Sequence, residues 1–99
     1  MIKVEIKKSS NPNKKFMAIF YDGKNHDKKV KTTHFGAAGM SDYTIHKDKK
    51  RKQRYLDRHR KRENWNAYMT AGALSRWILW NLPTLKGSIN DYKKRFKLI

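Results

Sequence analysis

From Ile2 to Lys7 apolar and polar residues alternate strictly, with Ile2, Val4 and Ile6 set against Lys3, Glu5 and Lys7. Successive side chains of a strand point to opposite faces, so this pattern predicts a half-buried β-strand. Ser9 to Lys14 (SSNPNK) reads as a turn, rich in residues that bond their own backbone or fix it. Lys15 to Tyr21 (KFMAIFY) is apolar on both faces and aromatic, which suits the central strand of a sheet. Asp22-Gly23 opens a second polar loop through Asp27, and Val30 to Phe35, with β-branched Val30, Thr32 and Thr33, predicts a third strand. Short loops between three strands imply an antiparallel meander with residues 15–21 in the middle.

Past Phe35 the pattern changes. Gly36-Ala37-Ala38-Gly39 carries little side chain, so the backbone there turns tightly or approaches something closely. Ser41-Asp42-Tyr43-Thr44 then supplies residues that cap a helix. Lys47 to Arg62 contains no Pro or Gly and consists mostly of strong helix formers, which predicts a helix ending near Glu63 or Asn64. Asn66 to Thr70 reads as a connector. Thr70 is a good N-cap for a helix over Ala71 to Asn81, with Leu74, Trp77, Ile78 and Leu82 on one stripe. Pro83 stops that helix. Thr84 caps a last one, in which Leu85, Ile89, Tyr92 and Phe96 recur at helical spacing.

The fold class these elements predict is α+β: a small three-stranded antiparallel sheet followed by a basic helix and two amphipathic C-terminal helices. One domain of 99 residues is expected, with the sheet in 1–40, the basic helix in 41–64 and a helical hairpin in 70–99. The two amphipathic helices should cover the sheet, with the basic helix across an edge. Tyr55, Leu56 and His59 lie together on that helix and are expected to anchor it to the sheet.

Charge adds a function class to this shape. The net charge is +17, and each third of the chain is basic. Between Lys47 and Arg62 stand ten Lys or Arg against two acids, Asp48 and Asp57. Like charges at i,i+4, such as Arg54 with Arg58 and Arg58 with Arg62, weaken the helix slightly. A chain that repels itself along its whole length prefers a polyanion partner, and nucleic acid is the commonest one. The residues expected to meet phosphates are Lys47, Lys49, Lys50, Arg51, Lys52, Arg54, Arg58, Arg60, Lys61 and Arg62. Arg51, Arg54, Arg58 and Arg62 recur every three to four positions and make a stripe along a phosphate backbone. Lys residues between 3 and 31 widen the surface. Such binding is largely independent of base sequence. Twelve aromatic residues, three of them Trp, argue for a folded domain despite the 33% of charged residues. Trp77 belongs to the core stripe. Trp80 falls off it and is the candidate for stacking on bases.

Other chemistry finds less support. The chain has no cysteine, which excludes disulfides and thiolate metal sites. His26, His34, His46 and His59 lack the spacing of a metal site, so no metal and no cofactor is expected. Asp42, Asp48, Asp57 and Glu63 with His46 and His59 are the only candidates for a nuclease centre, and no motif orders them, so the protein is read as non-enzymatic. The opening MIKVEIKK lacks the apolar run of a signal peptide, and no stretch has transmembrane length. An intracellular protein with no membrane partner is expected.

His34 to Trp65, then MTAGALSRWILWN (Met69 to Asn81) and PTLKGSI (Pro83 to Ile89), resemble a family of small basic proteins encoded by giant nucleocytoplasmic large DNA viruses of algae and amoebae. The resemblance covers roughly the C-terminal two-thirds of the chain. Lys49-Lys50 stand where many relatives have Pro and an acid, so this copy is more basic there. The resemblance implies a viral origin, in the virion or in the cytoplasm or nucleus of an infected cell, and DNA is expected ahead of RNA as the partner. It carries over no catalytic or binding residue. The expected function is genome condensation or packaging. The alternative is a minor capsid or core protein that binds acidic virion proteins, with Trp80, Tyr68 and the last helix as its interface.

Overall fold

The computed structural model describes residues 2–23 and 25–99. Strands β1 (Lys3–Lys8), β2 (Lys14–Asp22) and β3 (Lys28–Ala37) form one antiparallel sheet in the order β1-β2-β3. Residues 15–21 occupy the central strand, as their two-sided apolar character requires. Val4 pairs with Phe20, Ile6 with Ala18, and Phe16 with Phe35, so these residues share one face. Val4, Ala18, Phe20 and Phe35 on that face are buried. Between Phe20 and Tyr21 the register shifts, because Phe20 opposes Lys31 while Tyr21 opposes Lys29. Val30 is the extra residue of this bulge, and this β-prone residue is accordingly left outside the core, 44% exposed.

The helices follow in the order α1 (Tyr43–His46), α2 (Lys49–His59), α3 (Ala71–Leu74) and α4 (Leu85–Arg95). The regular helix expected over Ala71 to Asn81 lasts only to Leu74. Its N-cap is Thr70, as expected, with the side chain accepting from Ala73 N. Residues Ser75–Leu79 then form a wider π-helical turn, closed by Trp80 N donating to Ser75 O at 3.0 Å. The additional residue in that turn shifts the inward stripe. Leu74 and Ile78 remain on it and Leu79 joins it, whereas Leu82 is 38% exposed rather than part of the stripe. The α4 stripe follows its helical spacing, with Tyr92 fully buried and Leu85, Ile89 and Phe96 packed around it.

Leu74, Ile78, Leu79 and Tyr92 close over Val4, Ala18, Phe20 and Phe35 to make the core. The connector before α3 is fixed by half-buried polar contacts. Tyr92 Oη donates to Tyr68 O at 2.6 Å, Thr33 Oγ1 to Met69 O at 2.7 Å and Trp77 Nε1 to Trp65 O at 2.9 Å. Beyond α4, Lys97 adopts a left-handed conformation, and Leu98 N donates to Lys93 O at 2.8 Å. This Schellman closure turns the chain so that Ile99 pairs with the outer edge of β1, bonding Ile2 O and Val4 N. One end of that edge is thereby covered.

β3 continues through Gly36, two residues past the strand expected to end at Phe35. Gly36 has φ +79°, and a Cβ there would lie 2.8 Å from Leu79 Cδ1 and 3.3 Å from Lys15 Cβ. The close approach anticipated for the glycine pair is realised at this position. Gly36→Ala is expected to destabilise the protein by about 2 kcal/mol, combining the left-handed penalty with displacement of Leu79. Thermal unfolding measures this, and an unchanged melting temperature would show that the end of β3 relaxes freely.

Candidate nucleic-acid interface

The basic segment is not one helix from Lys47 to Arg62. Asp42 caps the short α1, its carboxylate accepting from Thr44 N at 2.9 Å. Lys47 then turns left-handed at φ 55°, and Asp48 starts α2 afresh by accepting from Lys50 N and Arg51 N at 2.9 and 3.3 Å. Helix formers surround the break, but two Asx caps six residues apart outweigh propensity. At the other end α2 stops at His59, four residues before the expected Glu63. A hydrogen-bonded turn carries the chain on, with Arg62 N and Glu63 N both donating to His59 O. Lys47, Arg60, Lys61 and Arg62 therefore flank the helix rather than belong to it.

The Asp48 cap has a pH consequence. The Arg51 and Lys50 backbone N–H groups hold its carboxyl below the ordinary carboxylate range. A group with its folded pKa depressed stabilises the folded state above the unfolded pKa and loses that contribution as pH falls through the folded one. The helicity of α2 is expected to decrease as pH drops below about 4, and circular dichroism should show that decrease missing in Asp48→Asn.

Tyr55 and Leu56 are the buried residues of α2, and Tyr55 is anchored on an indole rather than on the expected strand residue. Tyr55 stacks on Trp80, with ring centroids 4.2 Å apart and planes 3° from parallel, and His59 stacks beside Tyr55 at 4.1 Å. His46 closes on the same indole at 5.4 Å. Burial, followed by the Arg51 guanidinium, lowers the His46 pKa from its ordinary value. Lys52 also turns inward, donating to Asn81 O at 2.6 Å with its ammonium 4.9 Å from the Tyr43 ring centre. Its pKa is lowered, first by burial and then by Arg76 and Lys49. Lys52 thus ties α2 to the segment after the π-helical turn. Its position three residues before Tyr55 is the sequence signal for this, since the two share a helix face. Trp80, the candidate for base stacking, has Tyr55 against its ring, and Tyr68 packs against Phe20 and Phe96.

The remaining cations face solvent. Lys47, Lys49, Lys50, Arg51, Arg54, Arg58, Arg60, Lys61 and Arg62 are all exposed. At about 100° per residue, Arg51, Arg54 and Arg58 fall within roughly 60° of one another on α2, opposite Leu56. Among the described residues, none of these nine cations makes an ion pair. The nearby acids are held elsewhere. Asp42 accepts from Lys15 Nζ at 2.5 Å, Asp48 caps α2, Asp57 accepts from Gln53 Nε2 at 2.9 Å, and Glu63 meets His59 Nδ1 and Trp65 Nε1 at 2.9 and 3.0 Å. Of the six residues considered for a nuclease centre, His59 and Glu63 meet through their side chains and Asp48 N donates to His46 Nδ1 at 2.9 Å, but no three His, Asp or Glu among the described residues converge on a metal position.

Arg76, which sequence reasoning did not single out, lies between Trp65 and Trp77, its guanidinium carbon 5.2 and 4.2 Å from the ring centres, and donates to Trp80 O at 3.0 Å. Burial, then Arg95, lowers its pKa. It reinforces the segment on which α2 rests. No described helix is long and apolar enough to cross a membrane.

Fold and site together define a small α+β domain that displays a cationic face, without ion pairs among the described residues, on a short helix. Residues 4–59 match the model of DUF5754, a family of unknown function, and the chain belongs to that family. The match ends with the last residue of α2, so it includes the sheet and the cationic helix. The remaining residues supply Leu74, Ile78, Leu79 and Tyr92 to the core. No curated protein and no solved structure matches the chain.

Proposed function

We propose that this protein binds nucleic acid through backbone charge, without catalysis and with little choice of base sequence. The observation that carries the proposal is the set of nine exposed cations between Lys47 and Arg62 with no carboxylate partner among the described residues. A face of this kind gains little from its own molecule and much from releasing the counterions of a polyanion. The total charge of +17 extends the attraction beyond the helix. The resemblance to giant-virus proteins supports DNA as the polymer and genome condensation or packaging, in the virion or infected cell, as the setting.

A duplex-binding titration against salt tests this. Log affinity should fall linearly with log salt, with a slope of several units if most of the nine cations meet phosphates at about 0.9 each. Affinity should vary little between duplexes of different sequence. A flat salt dependence, or no binding at low salt, would remove the proposal.

A further inference from the structure

Beside the cationic face lies a cleft of about 430 Å³, between α2 on one side and the start of β2 and end of β3 on the other. From its chemistry we infer that it takes the unpaired terminal base of a nucleic-acid strand, whose phosphates continue onto Arg58 and Lys14. The inference rests on the nucleic-acid reading and adds a preference for strand ends. The interior is mainly apolar, formed by Phe35, Gly36 and Leu79 with Tyr55 and Trp80. Both acids that border it already have partners. Asp42 is held by Lys15 and Thr44, and Glu63 by His59 and Trp65.

With those carboxylates engaged, the charges left at the cleft are Arg58 and Lys14, both exposed and without an ion pair among the described residues. An apolar interior with a cationic rim complements a flat ring tethered to an anion, which describes a nucleotide. The volume falls within the range of small-molecule sites. Arg58 belongs both to the rim and to the cationic row of α2, so a strand lying along that row reaches the cleft without leaving the surface. Glycine lets Glu63 pack against the far wall, because a Cβ at Gly72 would lie 2.9 Å from the Glu63 carboxyl carbon. A base inside a duplex would have to unstack and unpair, at a cost of a few kcal/mol. An overhanging base is already unpaired and escapes much of that cost. The cleft therefore discriminates ends and single-stranded tails from continuous duplex.

The experiment compares a blunt DNA duplex with the same duplex bearing one overhanging 2-aminopurine nucleotide, using the full chain at fixed salt. The overhang should bind about tenfold tighter, and 2-aminopurine fluorescence should change on binding as the base leaves water for the aromatic walls. Ala71→Trp, from an exposed position on the cleft wall, should erase both effects while blunt-duplex affinity and its salt slope stay as they are. Met40→Trp, from another exposed wall position, is the second filling variant, so that misfolding of one leaves the test intact. Equal affinity for the two duplexes with no fluorescence change, alongside normal salt-dependent duplex binding, overturns the cleft alone. Failure of both duplexes to bind at low salt overturns the nucleic-acid reading with it.

Discussion

Replacing Arg51, Arg54 and Arg58 together by Gln is expected to weaken duplex binding about a hundredfold at 0.15 M salt and to reduce the salt slope by roughly 2.7. These three guanidinium groups share one side of α2 and make no ion pair among the described residues. Each one lost leaves a phosphate with its counterion, and the effect accumulates logarithmically with dilution of salt. Replacement by Glu should abolish binding altogether, since it adds repulsion to the loss. Stability should not suffer. Arg54 and Arg58 repel at i,i+4, so neutralising them relieves the helix by a few tenths of a kcal/mol. Fluorescence anisotropy with labelled duplex at several salt concentrations, paired with thermal unfolding, measures both quantities. A triple variant that retains the original slope would show that phosphates are met elsewhere on the surface.

Trp80→Ala should be among the most destabilising single substitutions, at about 3 kcal/mol. Melting should fall by on the order of 15 °C for a domain of this size. The indole carries three rings at once, with Tyr55 stacked on it, His59 beyond Tyr55 and His46 alongside. Its removal leaves the buried Leu56 and the Lys52 bond to Asn81 O to tie α2 to the body. The expected signature is therefore double. Tyr55 gains solvent exposure, and the salt slope falls although no phosphate-binding cation has been touched, because the row loses its fixed spacing. Trp80→Phe keeps a stacking surface and should recover more than half the loss. A Trp80→Ala protein with unchanged melting and helicity would mean that Leu56, the Lys52 bond and the caps suffice to hold α2.

Much of this structure was legible along the chain, for identifiable reasons. Alternation at Ile2, Val4 and Ile6 and the two-sided apolar run over residues 15–21 placed β1 and β2, since a strand needs only a period of two and a face to bury. Leu85, Ile89, Tyr92 and Phe96 marked α4 for the equivalent reason. The errors fall where one residue's cap or contact overrides its neighbours' propensities. Asp48 restarts a helix that Lys47 interrupts, through two hydrogen bonds that composition does not reveal. The π-helical turn over Ser75–Leu79 moves Leu79 inward, and because the helix ends there Leu82 lies beyond it and stays exposed. Lys52, counted with the phosphate-facing cations, lies on the inner side of α2 and serves a backbone carbonyl instead.

By itself the sequence determined the sheet, the amphipathic last helix and an excess of positive charge too large for eight acids to neutralise. These depend on periodicity and composition, which are local or additive properties of the chain. Only the tertiary structure decided which cations remain free, that Trp80 packs against Tyr55, and that a cleft opens beside Arg58. Pairing and packing depend on distances between residues far apart in sequence. Asp42 reaches Lys15 and Lys52 reaches Asn81 only once the core has brought those segments together.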